Sequence, residues 1–460
     1  MIRVFNLYVP SSKFLLVAGD ALFLGMAVLL LGASQVSPGA VTIEVYAAAV
    51  LAAAVGIWSF YFSDLYETST LHSRERVMSA GLQGLGLSAL LLTPLAWLFL
   101  RHQDHVHRWM EPALALLLLL IYAQRWLTHW WLERVSRGER VLLVGSGLTI
   151  QRLAQELTGG CGLPLRLAGV VLDRASAVPS QMRFAVVGTI DRLQHLVGSF
   201  RPDRIVISSE IGVSTIPAAD LLGLRRVGIR VQDAGELYES VTGRVPVESV
   251  RANALAFGEA LIPSPSTRRL HRAASFLASL LLTVLLVPLG LLLAVLIKLD
   301  SPGPVFYTQE RVGLGGRVFR VIKFRSMRQD AENGSGPVWA SAKDNRVTRV
   351  GAVLRKLRLD ELPQVINVLR GQMCLVGPRP ERPHFVQMLE REIAYYDLRH
   401  CIRPGITGWA QVSADYGANV EESRTKLEYD LFYVKNASLF FDLLILFKTV
   451  KIALCGRGAR

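Results

Sequence analysis

The sequence predicts a membrane protein of mixed α and α/β class. It reads as a four-helix transmembrane bundle (1–138), a parallel-sheet domain (139–262), and a mainly helical domain (268–460) anchored by an apolar helix (273–297) that enters and leaves the membrane on one side. Composition is the first of three observations behind this: 51% of the 460 residues are hydrophobic and 19% charged, with a mean hydropathy of +0.34, as in membrane proteins. The second is a row of four apolar stretches, each near the roughly 20 residues that cross a bilayer. The third is a strand–helix–strand alternation from residue 139 onwards. The length exceeds one ordinary domain.

The four stretches are residues 14–31, 46–62, 77–100 and 113–131. The first is long and ends without a small-residue cleavage site, so it reads as a retained anchor. Arg3 and Lys13 flank it, Arg74 and Arg76 precede the third, and Arg134, Arg137 and Arg140 follow the fourth, which places both ends of the bundle on the cytoplasmic side. Arg101 and Arg108 run against that rule. Asp20, inside the first stretch, is expected to face protein or to snorkel, with no partner among its sequence neighbours. His102, His105 and His107 read as a solvated loop, because no carboxylates surround them to complete a metal site.

In the middle region, strands are expected at 140–144, 168–172, 184–187, 204–208 and 229–231, with Gly145-Ser146-Gly147 opening a helix after the first. That alternation predicts a Rossmann-like parallel sheet. The dinucleotide fingerprint is incomplete: Ile150 stands where its third glycine belongs, although Asp173 falls near the position of a ribose-binding acid. A structural or regulatory role is the expectation, and NAD binding the alternative.

Pro263-Ser264-Pro265-Ser266 reads as a linker. The 25-residue apolar run that follows contains Pro288, is preceded by Arg268, Arg269 and Arg272, and is followed by Lys298, Arg311 and Arg317. Cations at both ends favour one side of the membrane, so the run is expected to break at Pro288 and return, with Thr283 a candidate partner for the carbonyl near Val284. Beyond it, 305–307 and 318–323 read as strands and 424–433 as a helix. Residues 439–454 form an amphipathic helix for the membrane interface or the core, with Phe440-Phe441 favouring the interface.

Residues 355–384 carry the chemistry. Asp360 and Glu361 stand before Leu362-Pro363 at the end of a run in which Lys343, Arg346, Arg349, Arg355, Lys356 and Arg358 face one acid, Asp344. Pro363 lacks an amide donor and biases its predecessor away from the helix, so the pair is expected at a helix boundary, fully exposed to an adjoining cleft. Gly371 and the rigid Pro378-Arg379-Pro380 follow. Carboxylates among cations and fixed turns suit phosphate chemistry with a metal ion. On spacing alone, a solvated helix terminus is the commoner reading.

With Lys323-Phe324-Arg325-Ser326-Met327 upstream and Arg403-Pro404-Gly405-Ile406-Thr407-Gly408-Trp409 downstream, residues 268–456 resemble the bacterial sugar transferases, the monotopic phosphoglycosyl transferases. Larger members carry the same bundle and Rossmann-like domain, and the family's apolar helix is re-entrant. The resemblance implies transfer of a sugar 1-phosphate from a UDP-sugar to undecaprenyl phosphate in the bacterial inner membrane, releasing UMP, in exopolysaccharide-type assembly. It implies Asp360 as nucleophile forming a phosphosugar-aspartate. Glu361 would hold Mg²⁺ with it or position it, and Lys323, Arg325 and Arg379, between Pro378 and Pro380, would contact phosphate. Cys374 and Arg358 stand where Ser, and Ser or Thr, are commoner. The N-terminal Met1-Ile2-Arg3-Val4-Phe5-Asn6 and Tyr8-Val9-Pro10 are similar to members linked to PEP-CTERM/exosortase and exopolysaccharide loci.

The +14 formal charge then suits anionic lipid and phosphate ligands, not nucleic acid, for which no aromatic-interleaved basic patch is present. Four cysteines without CxxC spacing point to reduced thiols. A membrane-anchored nucleotide-binding sensor is the alternative function. An NAD-dependent sugar-nucleotide enzyme lacks a Tyr-x-x-x-Lys pair in 139–262. The sugar and the oligomeric state, a homo-oligomer included, stay open.

Overall fold

The computed structural model describes residues 2–4, 7–9, 16–23, 25–26, 43–67, 74–100, 123–127, 130, 138–159, 165–173, 186–208, 218–250, 263–328, 346–414 and 419–455. Parts of the first and fourth apolar stretches, and the three loop histidines, lie outside them. The chain divides into two compact units: residues 1–4, 8–141 and 157–168 form one, and 5–7, 142–156 and 169–460 the other.

Short strands β1 (Ile2–Val4) and β2 (Leu7–Val9) precede helices Ile43–Phe62 and Arg74–Leu100. The helices pack through Phe60, Ala80 and Leu85. Asp20 faces protein as expected, and it does not snorkel. It is fully buried, and its Oδ2 accepts from Arg125 Nη2 at 2.6 Å and Tyr66 OH at 2.6 Å. Both partners are remote in sequence, which is why its neighbours there did not reveal them.

Residues 139–233 carry a five-stranded sheet of β3 (Glu139–Val144), β4 (Leu165–Leu172), β5 (Val186–Thr189), β6 (Arg204–Ile207) and β7 (Arg230–Asp233), in the order β5-β4-β3-β6-β7. β4 pairs with β5, and β6 with β7, in parallel. Every predicted strand is present, and the helix Leu148–Thr158 opens directly after Gly145-Ser146-Gly147. Ile150 is fully buried there, an isoleucine packed where the fingerprint needs a glycine.

Residues 265–300 form one 36-residue helix, Pro265–Asp300, with Ser264 accepting from Thr267 N at its start. This corrects the expected break, since helical structure runs through Pro288. Proline removes a single donor, and the turns on either side keep theirs. Thr283 Oγ1 donates to Ser279 O at 2.7 Å and not to the carbonyl of Val284. Among the described residues this is the one helix long and apolar enough to cross a membrane.

Both ends of this helix dock on the same C-terminal region. At one end His271, Ser275 and Ser279 are buried, with Leu375 N donating to Ser275 Oγ. At the other, Leu293 and Ile297 pack with Phe324 and Leu354, and Asp300 accepts from Val350 N at 3.0 Å. Between them Leu280, Leu281, Val284, Leu285, Leu291 and Leu292 are exposed.

The hairpin β8 (Phe306–Val312) and β9 (Val318–Phe324) is antiparallel. β10 (Cys374–Val376) pairs in parallel with β11 (Gly405–Thr407). A Cβ at Gly405 would lie 2.1 Å from Gly377 N, and one at Gly408 2.2 Å from Gly377 O, so this crossing excludes side chains at both glycines. Helices Val420–Asn436 and Leu439–Cys455 follow, and Tyr433 OH of the first donates to Val376 O of β10. Of the Phe440-Phe441 pair, Phe441 is fully buried against Trp409 and Phe432, and Phe440 is exposed. The last helix therefore serves the core with one face and shows Phe440, Leu443, Phe447 and Val450 on the other.

The sheet region and the C-terminal region are joined along Val420–Asn436. Arg152 Nη1 meets Glu428 Oε1 at 2.6 Å, Lys435 Nζ meets Glu239 Oε2 at 2.8 Å, and Trp409 Nε1 donates to Gly243 O at 2.9 Å.

Candidate active site

Two residues after helix Arg349–Lys356 comes Arg358, whose φ of 55° is left-handed and costs a non-glycine residue about 1–2 kcal/mol. That sharp reversal starts a short 3₁₀ turn, Leu359–Glu361, before helix Gln364–Leu369. The acidic pair thus sits at the expected helix boundary. It is not fully exposed, however, and its two members differ.

Glu361 is largely buried, and its Oε1 accepts from Lys323 Nζ at 3.0 Å and Arg379 Nη2 at 2.7 Å. Burial would raise its carboxyl, but Arg379 and Lys323 outweigh that and hold it well below the usual carboxylate range. On Asp360 no hydrogen bond or ion pair ends among the described residues. Burial, and then the like charge of Glu361, push its carboxyl above the ordinary value against the pull of Lys323, Arg379 and Arg355. One carboxylate is locked as a permanent anion that orders two cations. The other is unengaged beside them.

The surrounding elements hold this arrangement from three sides. Asn367, fully buried, accepts from Ile322 N and donates to Arg320 O and Gln372 Oε1, tying the helix after the acidic pair to the strand that carries Lys323. Pro378 O accepts from Gly405 N, and Pro380 O from Arg311 Nη1. Between them, Arg379 O accepts from Arg399 Nη2 at 2.9 Å. Arg399 is itself buried, paired with Asp430 Oδ2 at 2.7 Å and with Tyr396 OH. Pro378 and Pro380 therefore shape a loop whose three successive carbonyls are all bound, and that fixes where the Arg379 guanidinium points.

Arg325 is not part of this group. It is buried and donates to Ser301 O at 2.7 Å and to Ser301 Oγ, capping the end of the long helix. β9 stops at Phe324, so its side-chain alternation no longer keeps Arg325 on the face of Lys323. Asn367, Arg399 and Asp430 were not singled out from the sequence, and Arg311 was read there only as a cation flanking the apolar run. A usable signal was present for two of them: Asn367 interrupts an apolar segment, and Asp430 lies among Leu427, Tyr429, Leu431 and Phe432.

For a metal ion, no cluster of three or more His, Cys, Asp or Glu side chains exists among the described residues. Asp360 and Glu361 would supply at most two carboxylates. That number suits Mg²⁺, which takes one or two from protein and the remainder from substrate phosphates and water.

A profile of the family described as "Bacterial sugar transferase" matches residues 266–456. A UDP-glucose:undecaprenyl-phosphate glucose-1-phosphate transferase of Caulobacter vibrioides is 45% identical over 181 residues, 39% of this chain and 67% of that protein. The chain belongs to the bacterial sugar transferase family. As a family member it is also similar to a UDP-N-acetylgalactosamine-undecaprenyl-phosphate N-acetylgalactosaminephosphotransferase of Aeromonas hydrophila, 50% identical over 232 residues, 50% of this chain and 54% of that one. A UDP-glucose:undecaprenyl-phosphate glucose-1-phosphate transferase of Xanthomonas campestris pv. campestris is 33% identical over 323 residues, 68% and 66% of the two chains. The match thus spans between half and two thirds of the length of these last two relatives. All four residues of the site lie inside the 266–456 match.

Proposed function

We propose that this sugar transferase moves a sugar 1-phosphate from a UDP-sugar to undecaprenyl phosphate, giving undecaprenyl-diphosphate-sugar and UMP. The observation that carries the reading is the unengaged Asp360 beside a Glu361 that holds Lys323 and Arg379 in place. An Asp360 carboxylate oxygen attacks the sugar-bearing phosphorus. The bond from that phosphorus to the bridging oxygen breaks, and UMP leaves with the electron pair. An oxygen of undecaprenyl phosphate then attacks the same phosphorus and the aspartyl–phosphorus bond breaks, restoring Asp360. Splitting the transfer this way lets one site serve a soluble donor and a lipid acceptor in turn. Lys323 and Arg379 stabilise charge on the phosphoryl oxygens, Arg379 in the bidentate manner open to a guanidinium. Mg²⁺ bound to the acidic pair would supply further neutralisation of phosphate charge.

The relatives' names include both N-acetylgalactosamine and glucose donors, so the test uses UDP-N-acetylgalactosamine and UDP-glucose. Detergent-solubilised protein is expected to release UMP continuously from one of them when undecaprenyl phosphate is present. UMP release from neither donor contradicts the proposal.

The same geometry fixes a pH dependence. Asp360 must be unprotonated to attack, and its carboxyl is raised, so activity is lost as pH falls through a value above the ordinary aspartate range. In Glu361→Gln the like charge is gone and both cations remain, so the acidic limb of kcat/KM is expected to move to lower pH while the overall rate falls. An unmoved limb would mean that another group titrates.

We also propose a multi-pass protein of the inner membrane with its transferase region on the cytoplasmic face, and a Rossmann-like sheet domain acting in structure or regulation. Support for one-sided membrane entry comes from the long helix, whose ends dock on one region. Between the docked Ser279 and Leu293 lie about 14 residues, roughly 21 Å at 1.5 Å per residue, too short for a hydrocarbon core of about 30 Å. A cysteine replacing the exposed Arg320, in a background lacking native cysteines, is expected to resist an impermeant maleimide in intact cells and to react after permeabilisation. Labelling in intact cells would place this region outside.

A further inference from the structure

A second basic constellation lies at the first turns of the long helix, away from the acidic pair. A cavity of about 280 Å³ is lined there by Arg268, Arg269, His271, Arg272 and Arg403, with Cys374 at its wall, and none of Asp360, Glu361, Lys323 or Arg379 borders it. No Asp or Glu among the described residues lines it either. His271 is nine-tenths buried. Its Nδ1 is held by Asp442 Oδ2 at 2.8 Å, and Asp442 Oδ1 accepts from Tyr433 OH. This leaves Nε2 as the free edge of the ring, and that atom is buried without a partner, as is Arg268 Nε. Arg403 spends Nε on Gly371 O. Four arginines and an imidazole edge thus line one space that has no carboxylate in its wall.

A buried donor without an acceptor, such as Arg268 Nε, costs about 1–3 kcal/mol, and like charges gathered in one pocket repel. An anion with several acceptor oxygens removes both penalties. The start of a 36-residue helix adds its positive dipole end. The exposed Leu270, Phe276 and Leu277 on the same turns place the cavity where the apolar surface of the helix begins.

We propose that this cavity binds a phosphate group, at a site separate from the Asp360 turn. The phosphate is that of an isoprenyl monophosphate or of an anionic phospholipid, or else free phosphate from solution. All three present the same oxygens to the same donors.

The test uses full-length protein in the Asp360→Asn background, where no covalent intermediate forms, so that failure of this site and failure of the proposed transfer are read separately. Three probes are compared: inorganic phosphate by equilibrium dialysis, geranylgeranyl monophosphate in detergent, and phosphatidylglycerol in nanodiscs by native mass spectrometry. Arg269→Gln/Arg272→Gln, which changes two exposed side chains of a helix, is expected to remove one bound equivalent of at least one probe, or to weaken it at least tenfold. His271→Gln, a milder change, should weaken the same probe in the same direction. The probe affected identifies the source of the phosphate. Binding of all three probes unchanged by the double variant overturns the proposal, as does loss of the affected equivalent on Arg379→Gln with the four arginines intact.

Discussion

Asp360→Asn is expected to reduce UMP release by about 10⁴-fold or more, the scale on which removing a covalent nucleophile acts, and to leave the fold intact. The amide is nearly isosteric, and no hydrogen bond or ion pair ends on Asp360 among the described residues, so no structural interaction is lost with the charge. Thermal denaturation should show a midpoint at or above that of the wild type, because burial and Glu361 already disfavour the Asp360 anion. Glu361→Gln behaves differently. It frees Lys323 and Arg379 from their common partner, so activity falls through misplaced cations and not through loss of the attacking oxygen. A fall in stability for Asp360→Asn larger than for Glu361→Gln would reverse the roles assigned to the two carboxylates.

Arg399→Leu is expected to be the most destabilising single change in the transferase region. It leaves Asp430 buried at 1% exposure without its partner, and breaking such a pair costs about 3–5 kcal/mol, a large part of the roughly 5–15 kcal/mol that holds a typical protein folded. The double variant Arg399→Leu/Asp430→Leu removes the orphaned charge and should recover most of the lost denaturation midpoint. It should not recover activity, since the carbonyl of Arg379 still lacks the donor that Arg399 provided. A double variant restored in both respects would mean that Arg399 acts on stability alone.

Much of the architecture was readable where a pattern repeats locally. The five strands from Glu139 to Asp233 follow from apolar runs punctuated by glycine. The acidic pair sits at a helix boundary as expected, but Leu362 before Pro363 is itself right-handed helical, and the boundary is made by the left-handed Arg358. The roles within the site were less readable, because they depend on pairings across long stretches of chain. Glu361 is tied to Lys323, 38 residues away, and Arg379 to Arg399, 20 residues away. Asp20 finds Arg125 across 105 residues. Arg325 stands two residues from Lys323, yet the strand ends between them and sends it to the helix terminus. At Pro288 the local rule was applied too strongly: loss of one backbone donor did not end a helix whose neighbouring turns remain bonded.

The central claim is that the sugar phosphate passes through Asp360, and its most direct test is the mass of the protein itself. Wild-type protein given the UDP-sugar it accepts, with no undecaprenyl phosphate, is expected to release UMP up to one equivalent and to gain the mass of one phosphosugar. That adduct should be located by peptide mass spectrometry on the peptide containing Asp360 and vanish when undecaprenyl phosphate is added. An adduct on another residue, or one still formed by Asp360→Asn, would contradict the account.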